Sequence, residues 1–240
     1  MHFSSLRHVF SFILTASVIS APLHAQGDRV VKIGLIEDAS GRLGEMGKKG
    51  IKQFTDSFKT INAGGGIAIA GSRYSLQLIV FDAESRIDKA NQGVARLVAE
   101  DKVDILISAY PITQDAARNT NAPILVLAPN PIAGIGDGRV FSTPIPNSTF
   151  RAKGGMAILT DALSKAHGVE ASHLRDALAQ VDVRTLGGLV RFDKLGNNTG
   201  GLKLLPKGPI IQGCQTTCAS TCPCDTGCTD IDGQKCCSSC

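Results

Sequence analysis

Between residues 30 and 127 the chain repeats one alternation, in which a short apolar run is followed by a stretch whose apolar residues recur at helical spacing. Val30, Val31, Ile33, Leu35 and Ile36 read as a strand buried on both faces. Gly41, Gly44 and Gly47 are expected to loosen the backbone before a helix. That helix carries Ile51, Phe54, Phe58 and Ile61 on one face and ends at Asn62 and the glycines 64–66. Residues 74–81 form a second strand. A second helix presents Ile87, Ala90, Val94, Leu97 and Val98, and residues 103–107 form a third strand. Strands that alternate with helices build right-handed βαβ crossovers. The expected fold class is therefore α/β, a parallel sheet with helices on both faces.

The alternation continues through a short helix near Thr113 and a strand at residues 124–127. Pro129, Pro131, Pro144 and Pro146, with Gly134, Gly136 and Gly138, then predict a loop-rich stretch around one strand at residues 140–143. Residues 151–166 read as a helix. Another is expected to start from Ser172 as N-cap and to bury Leu174, Ala177, Leu178 and Val181. A last strand falls at residues 189–192.

With 25 basic and 21 acidic side chains and no concentrated basic block, the chain lacks the electrostatic footprint of a nucleic-acid binder. Its first 25 residues read as a secretory signal. Arg7 and His8 precede an uncharged apolar stretch at residues 9–21, and Pro22 and Ala25 mark a cleavage site before Gln26. That stretch is shorter than the roughly 20 residues needed to cross a bilayer. A periplasmic or secreted location is expected.

Several ordered landmarks resemble one family. Val31-Lys32-Ile33-Gly34-Leu35-Ile36, the glycine-containing loop, the long helix and Ile61-Asn62-Ala63-Gly64-Gly65-Gly66-Ile67 look like the start of a type I periplasmic solute-binding protein. Leu78-Ile79-Val80-Phe81-Asp82-Ala83 and residues 90–97 continue the likeness, which is greatest to the branched-chain amino acid (Leu/Ile/Val) binding group of ABC transporters. Leu174-Arg175-Asp176-Ala177-Leu178, Gly187-Gly188-Leu189-Val190-Arg191-Phe192-Asp193 and Gly196-Asn197-Asn198-Thr199-Gly200 resemble that family's closing segment.

The resemblance implies a signal peptide at residues 1–25 and a first α/β lobe at residues 26–150. Residues 151–211 would be a remnant of the second lobe with the closing segment, most of that lobe being absent. It implies no enzymatic activity. The implied ligand is an amino acid or a similar small solute, passed to the membrane permease of an ABC transporter. The segment matching the family's first ligand loop is Ser108-Ala109-Tyr110-Pro111-Ile112-Thr113, so Tyr110 could stack on a ligand and Thr113 could meet an anion or simply cap its helix. The second matching loop, Ala128-Pro129-Asn130-Pro131, adds Ala128 and Asn130 to the candidate ligand-binding residues.

No catalytic signature stands against this reading. The glycines around Gly47 and Lys48 lack the spacing and the following Ser or Thr of a phosphate-binding loop, and no nucleophile elbow or zinc-protease motif occurs. His167 and His173 read as solvated surface residues. The acidic pairs Glu37 with Asp38 and Asp82 with Glu84 read as solvated or capping loop residues.

The last segment, residues 212–240, is a small Cys-rich tail expected to be irregular. It holds all eight cysteines, Cys214, Cys218, Cys222, Cys224, Cys228, Cys236, Cys237 and Cys240, and no aromatic residue. A segment of this kind cannot build an apolar core, so covalent or coordinative bonds must order it if it is ordered at all, and an unstructured tail is a third reading beside the two that follow. In an exported chain an even number of cysteines favours disulfides, with on the order of a hundred possible pairings. Metal–thiolate binding competes: Cys222-Pro223-Cys224 and Cys237-Ser238-Ser239-Cys240 bring thiolates close together, and all eight are candidate zinc ligands. No other cofactor is expected.

Overall fold

The computed structural model describes residues 29–128, 138–145 and 148–200 and, by backbone, residues 216–218, 228–231 and 234–238 of the tail. The proposed signal segment lies outside the described residues. Eleven strands and five helices are found among them. In chain order the first are β1 (Val30–Glu37), α1 (Gly44–Ala63), β2 (Ile67–Ile69), β3 (Ser72–Asp82), α2 (Ile87–Ala99), β4 (Ile105–Ser108), α3 (Gln114–Arg118) and β5 (Ile124–Val126). There follow β6 (Val140–Ser142), α4 (Ser148–Lys165), α5 (Ala171–Ala179), β7 (Asp182–Thr185) and β8 (Gly188–Arg191), then β9 (Thr216–Cys218), β10 (Cys228–Ile231) and β11 (Gln234–Ser238) in the tail.

Six strands form one sheet in the order β2-β3-β1-β4-β5-β6, parallel throughout except for the antiparallel β2. The chain steps from β1 outward to β3 on one side and then crosses β1 to β4 on the other. The order therefore reverses between β1 and β4.

Period-two alternation along each strand divides the core into two layers. Val31, Ile33, Leu35, Ile105, Ile107 and Leu125 share a cluster with Phe54 and Phe58 of α1, Ile158, Leu159 and Leu163 of α4, and Leu174 and Leu178 of α5. Ile36, Leu106, Ile124 and Val126 pack on the other side with Ala90, Val94 and Leu97 of α2 and Ala117 of α3. Helices thus cover both faces, as expected of an α/β lobe. Residues of α4 and α5 contribute to the same core as the strands that precede them.

Several local expectations are corrected. Gly44 and Gly47 do not loosen the chain ahead of α1 but lie inside it. Residues 67–69, to which the sequence pattern assigns no element, form β2, which pairs with β3 across Ala70 and Gly71, both at positive φ (47° and 77°). Glu170, rather than Ser172, stands at the N-cap of α5. Strand β7, too polar to be recognised by its pattern, pairs antiparallel with β8. Within the tail, β9, β10 and β11 form a three-stranded antiparallel sheet where irregular chain was expected.

The closing segment is tied to the rim of the main sheet. The Ser142 N–H donates to the Gly196 carbonyl at 2.7 Å, the Asn198 N–H to the Ser142 carbonyl at 2.9 Å, and the Asn198 side-chain amide to the Thr143 hydroxyl at 2.9 Å. Gly196 sits at φ 82° against the Val140 carbonyl, where a side chain would overlap backbone.

Candidate functional site

In open parallel sheets, ligands bind outside the carboxyl ends of the strands where the strand order reverses. Here that point lies between Glu37, at the end of β1, and Ser108, at the end of β4. A cavity of about 260 Å³ opens there, lined by Glu37, Asp38, Leu43, Met46, Gly47, Ala109, Tyr110, Pro111, Ala128 and Arg151.

Its polar floor is built from two buried acids. Glu37 and Asp38 are each 2% exposed. Arg151, from the first turns of α4, forms an ion pair with Glu37 through its Nη1. Burial pushes the Glu37 carboxyl above its ordinary value, and the charge and hydrogen bond of Arg151 act against that rise. The Asp38 carboxylate accepts the Tyr110 hydroxyl on both oxygens, each at 2.7 Å, and the Ser85 backbone N–H at 2.6 Å. Burial first, then the hydrogen bond to Asp38, raises the Tyr110 phenol well above its usual range and keeps it a neutral donor.

The loop after β1 is held by Asp82, whose carboxylate accepts the N–H groups of Ala39 (2.9 Å), Ser40 (3.1 Å) and Glu84 (2.9 Å) and the Ser40 hydroxyl (2.6 Å). The Ser85 hydroxyl accepts the Leu43 N–H at 2.8 Å. The Ser108 hydroxyl accepts the Tyr110 N–H (3.0 Å) and donates to the Tyr110 carbonyl (2.9 Å), which fixes the turn that carries the ring. Both rims of the cavity are therefore positioned by side chains anchored to backbone, as a preformed site requires.

Gly47 lets α1 approach the floor, because a Cβ added there would overlap the carbonyl oxygen of Asp38. The obstacle is backbone and cannot swing aside. Gly47→Ala is expected to lower stability by about 1–3 kcal/mol in urea unfolding and to shift the Tyr110 ring signals in NMR spectra. Tyr110→Phe removes the only side-chain donor described on Asp38 and is expected to lower stability by about 1.5–3 kcal/mol by the same assay, since hydrogen bonds to charged groups are the stronger ones.

Of the candidate ligand residues, Tyr110 and Ala128 line the cavity. Thr113 does not. It is exposed and caps α3 by accepting the Ala116 N–H at 3.4 Å, while its own N–H and hydroxyl donate to the Asn91 side chain at 2.8 and 3.1 Å. Asn130 and the side chains of the eight cysteines lie outside the described residues. Glu37 and Asp38, read as solvated loop acids, are instead the buried floor. Arg151 gave no local signal, because its partner is 114 residues away. Among the described residues no group of three or more His, Cys, Asp or Glu side chains is placed to hold a metal ion.

The chain is an α/β lobe with a cavity at its topological switch point. Residues 30–146 match the family described as periplasmic binding protein. An ABC transporter substrate-binding protein from Desulfitobacterium hafniense shares the fold, at TM-score 0.55 and 11% identity over 72% of this chain and 96% of its own. The branched-chain amino acid transporter substrate binding protein LivJ from Streptococcus pneumoniae, solved in complex with isoleucine, is 24% identical over 48% of this chain and 33% of its own, at TM-score 0.39. A solute binding protein of an ABC transporter from Rhodopseudomonas palustris, solved in complex with 3,4-dihydroxy benzoic acid, is 20% identical over 47% of this chain and 31% of its own, at TM-score 0.36. The matched part of this chain thus spans about a third of the length of these last two proteins. Among the described residues no helix is long and apolar enough to cross a membrane.

Proposed function

We propose that this chain is a non-enzymatic solute-binding component of an ABC-type transporter, working in the periplasm or as a secreted protein, and that it takes a branched-chain amino acid or a similar small solute at the switch-point cavity. The reading rests chiefly on the position of that cavity, at the carboxyl ends of β1, β4 and β5, with an acidic floor beneath an apolar wall. Leu43, Met46, Ala109, Pro111 and Ala128 suit the apolar body of a solute, and the acids of the floor suit an ammonium or hydroxyl end rather than a carboxylate. Isoleucine and 3,4-dihydroxy benzoic acid, the ligands of two similar proteins, both have this divided character. A membrane permease is the partner that would receive the solute.

The described lobe covers one side of a bound solute, so affinity is expected to fall near a dissociation constant of about 1 mM, some 4 kcal/mol of binding. The test is an NMR titration of the full chain with leucine, isoleucine, valine and 3,4-dihydroxybenzoate, and with glycine as a solute lacking the apolar body. Saturable shifts at Ala109, Tyr110 and Ala128 for one of the larger solutes, and none for glycine, support the reading. It fails if no solute moves these signals, or if glycine moves them equally.

A further inference from the structure

The tail sheet places its cysteines in register. In the order β10-β11-β9, Cys228 stands opposite Cys237 and Cys236 opposite Cys218. We propose that Cys228–Cys237 and Cys218–Cys236 are two disulfides that staple this sheet, one on each face.

The geometry follows from the hairpin. Ile231 pairs with Gln234, and the sequence places two residues between them. Such a connection makes Ile231 and Gln234 a hydrogen-bonded pair, and pairs then alternate along the ladder. Counting along the register from that pair makes Asp230 with Lys235 a non-hydrogen-bonded pair, Thr229 with Cys236 a bonded one, and Cys228 with Cys237 non-bonded again. A residue that directs its N–H and C=O toward one neighbouring strand turns none toward the other. Cys236, bonded toward β10, is therefore in a non-bonded pair with Cys218 of β9.

Both cysteine pairs thus fall at the sites where side chains of opposed strands come closest. Cα separations there are about 4.5 Å, within the roughly 4.4–6.8 Å range a disulfide spans. Cys236 and Cys237 are consecutive and so belong to opposite faces. The two bridges do not compete, whereas the exchanged pairing would join cysteines on opposite faces. The same alternation keeps these four thiols from closing one tetrahedral zinc site on either face. Three short strands in a segment without aromatic residues cannot hold together by burial, and cross-links supply what a core does not.

Each bridge forms by exchange with an external disulfide, either a small-molecule disulfide or a disulfide oxidoreductase. One thiolate attacks a sulfur of that disulfide and displaces a thiolate. The second cysteine then attacks the mixed disulfide and releases the other. The two protein thiols lose two electrons and two protons, and the external disulfide is reduced to two thiols.

The experiment uses the full chain refolded in a mixture of oxidised and reduced glutathione with zinc present, then blocked with an alkylating agent and mapped by mass spectrometry. Cleavage after Lys235 and before Asp225 puts Cys218, Cys228 and the adjacent pair Cys236 and Cys237 on three different peptides. Partial reduction followed by a second label resolves which of the adjacent pair joins which partner. The expected result is Cys218 joined to Cys236 and Cys228 to Cys237. In the variants Cys228→Ser and Cys218→Ser, one new thiol is expected at Cys237 and at Cys236 respectively, with the other bridge kept. Exchanged pairing, any other partner for these four, or thiols held reduced with bound zinc overturns the proposal. The wild-type map reads the pairing without any variant having to fold.

Discussion

Arg151→Ala is expected to lower the unfolding free energy by about 3–5 kcal/mol, because it leaves the buried carboxylate of Glu37 without its counter-charge. Arg151 is 7% and Glu37 2% exposed, so the pair is shielded from bulk water in the parent. The only other hydrogen bond described to this carboxylate is a 3.2 Å contact from the Asp38 N–H. Removing both charges together should do much less harm than removing one. Glu37→Leu with Arg151→Met is expected to lie within about 1–2 kcal/mol of the parent, since apolar groups of similar volume often replace buried ion pairs without net loss. Urea unfolding of the parent, the single variant and the double variant measures the difference directly. A single-variant loss below about 1 kcal/mol would show that the carboxylate is hydrated after all.

The loss should also depend on pH, and the sign follows from the direction of the Glu37 shift. Burial already raises its carboxyl above the ordinary 4.5, and without Arg151 the rise is larger. A carboxyl whose folded pKa exceeds its unfolded value binds its proton more tightly in the folded state. Its contribution is full below the unfolded value and is lost as pH climbs through the folded one. The Arg151→Ala deficit is therefore expected to be smallest near pH 4.5 and to grow toward neutrality. A deficit that stays constant over that window would place the lost energy in the packing of the arginine stem rather than in the charge.

These two residues also mark the limit of what the sequence conveys. The strand runs of β1, β4 and β5 are continuous in apolar character because both their faces are covered, and that pattern is legible without a structure. So is the Phe54 and Phe58 face of α1. Strand β2 has three residues, and β7 is polar with no buried residue, so neither offers a period to count. In the site, Tyr110 and Ala128 were reachable because they follow strands whose ends the pattern locates. Glu37 and Asp38 were visible as an acidic pair at a strand end, where solvation is the ordinary fate. Their burial depends on α1 approaching through Gly47 and on an arginine from a distant helix, relations that spacing along the chain does not encode.

The other large effect concerns the core that sets the floor in place. Phe54 is fully buried in the cluster joining α1, α4 and the sheet. Gly155 of α4 lies against it, since a Cβ added at Gly155 would stand 3.1 Å from Phe54 Cζ and 2.7 Å from Leu127 Cδ1. The phenyl ring therefore occupies the space α4 leaves open, and no side chain at position 155 can move in when the ring is removed. Phe54→Ala is expected to lower stability by about 3–5 kcal/mol, at the upper end for a core truncation that cannot collapse. Because α4 also carries Arg151, any drift of that helix into the void should loosen the ion pair with Glu37, so the loss from Phe54→Ala and Arg151→Ala combined should fall short of the sum of the two. A double-mutant cycle by urea unfolding measures that coupling. Full additivity would mean that α4 holds its position without Phe54 and that the floor of the cavity is independent of the core beneath it.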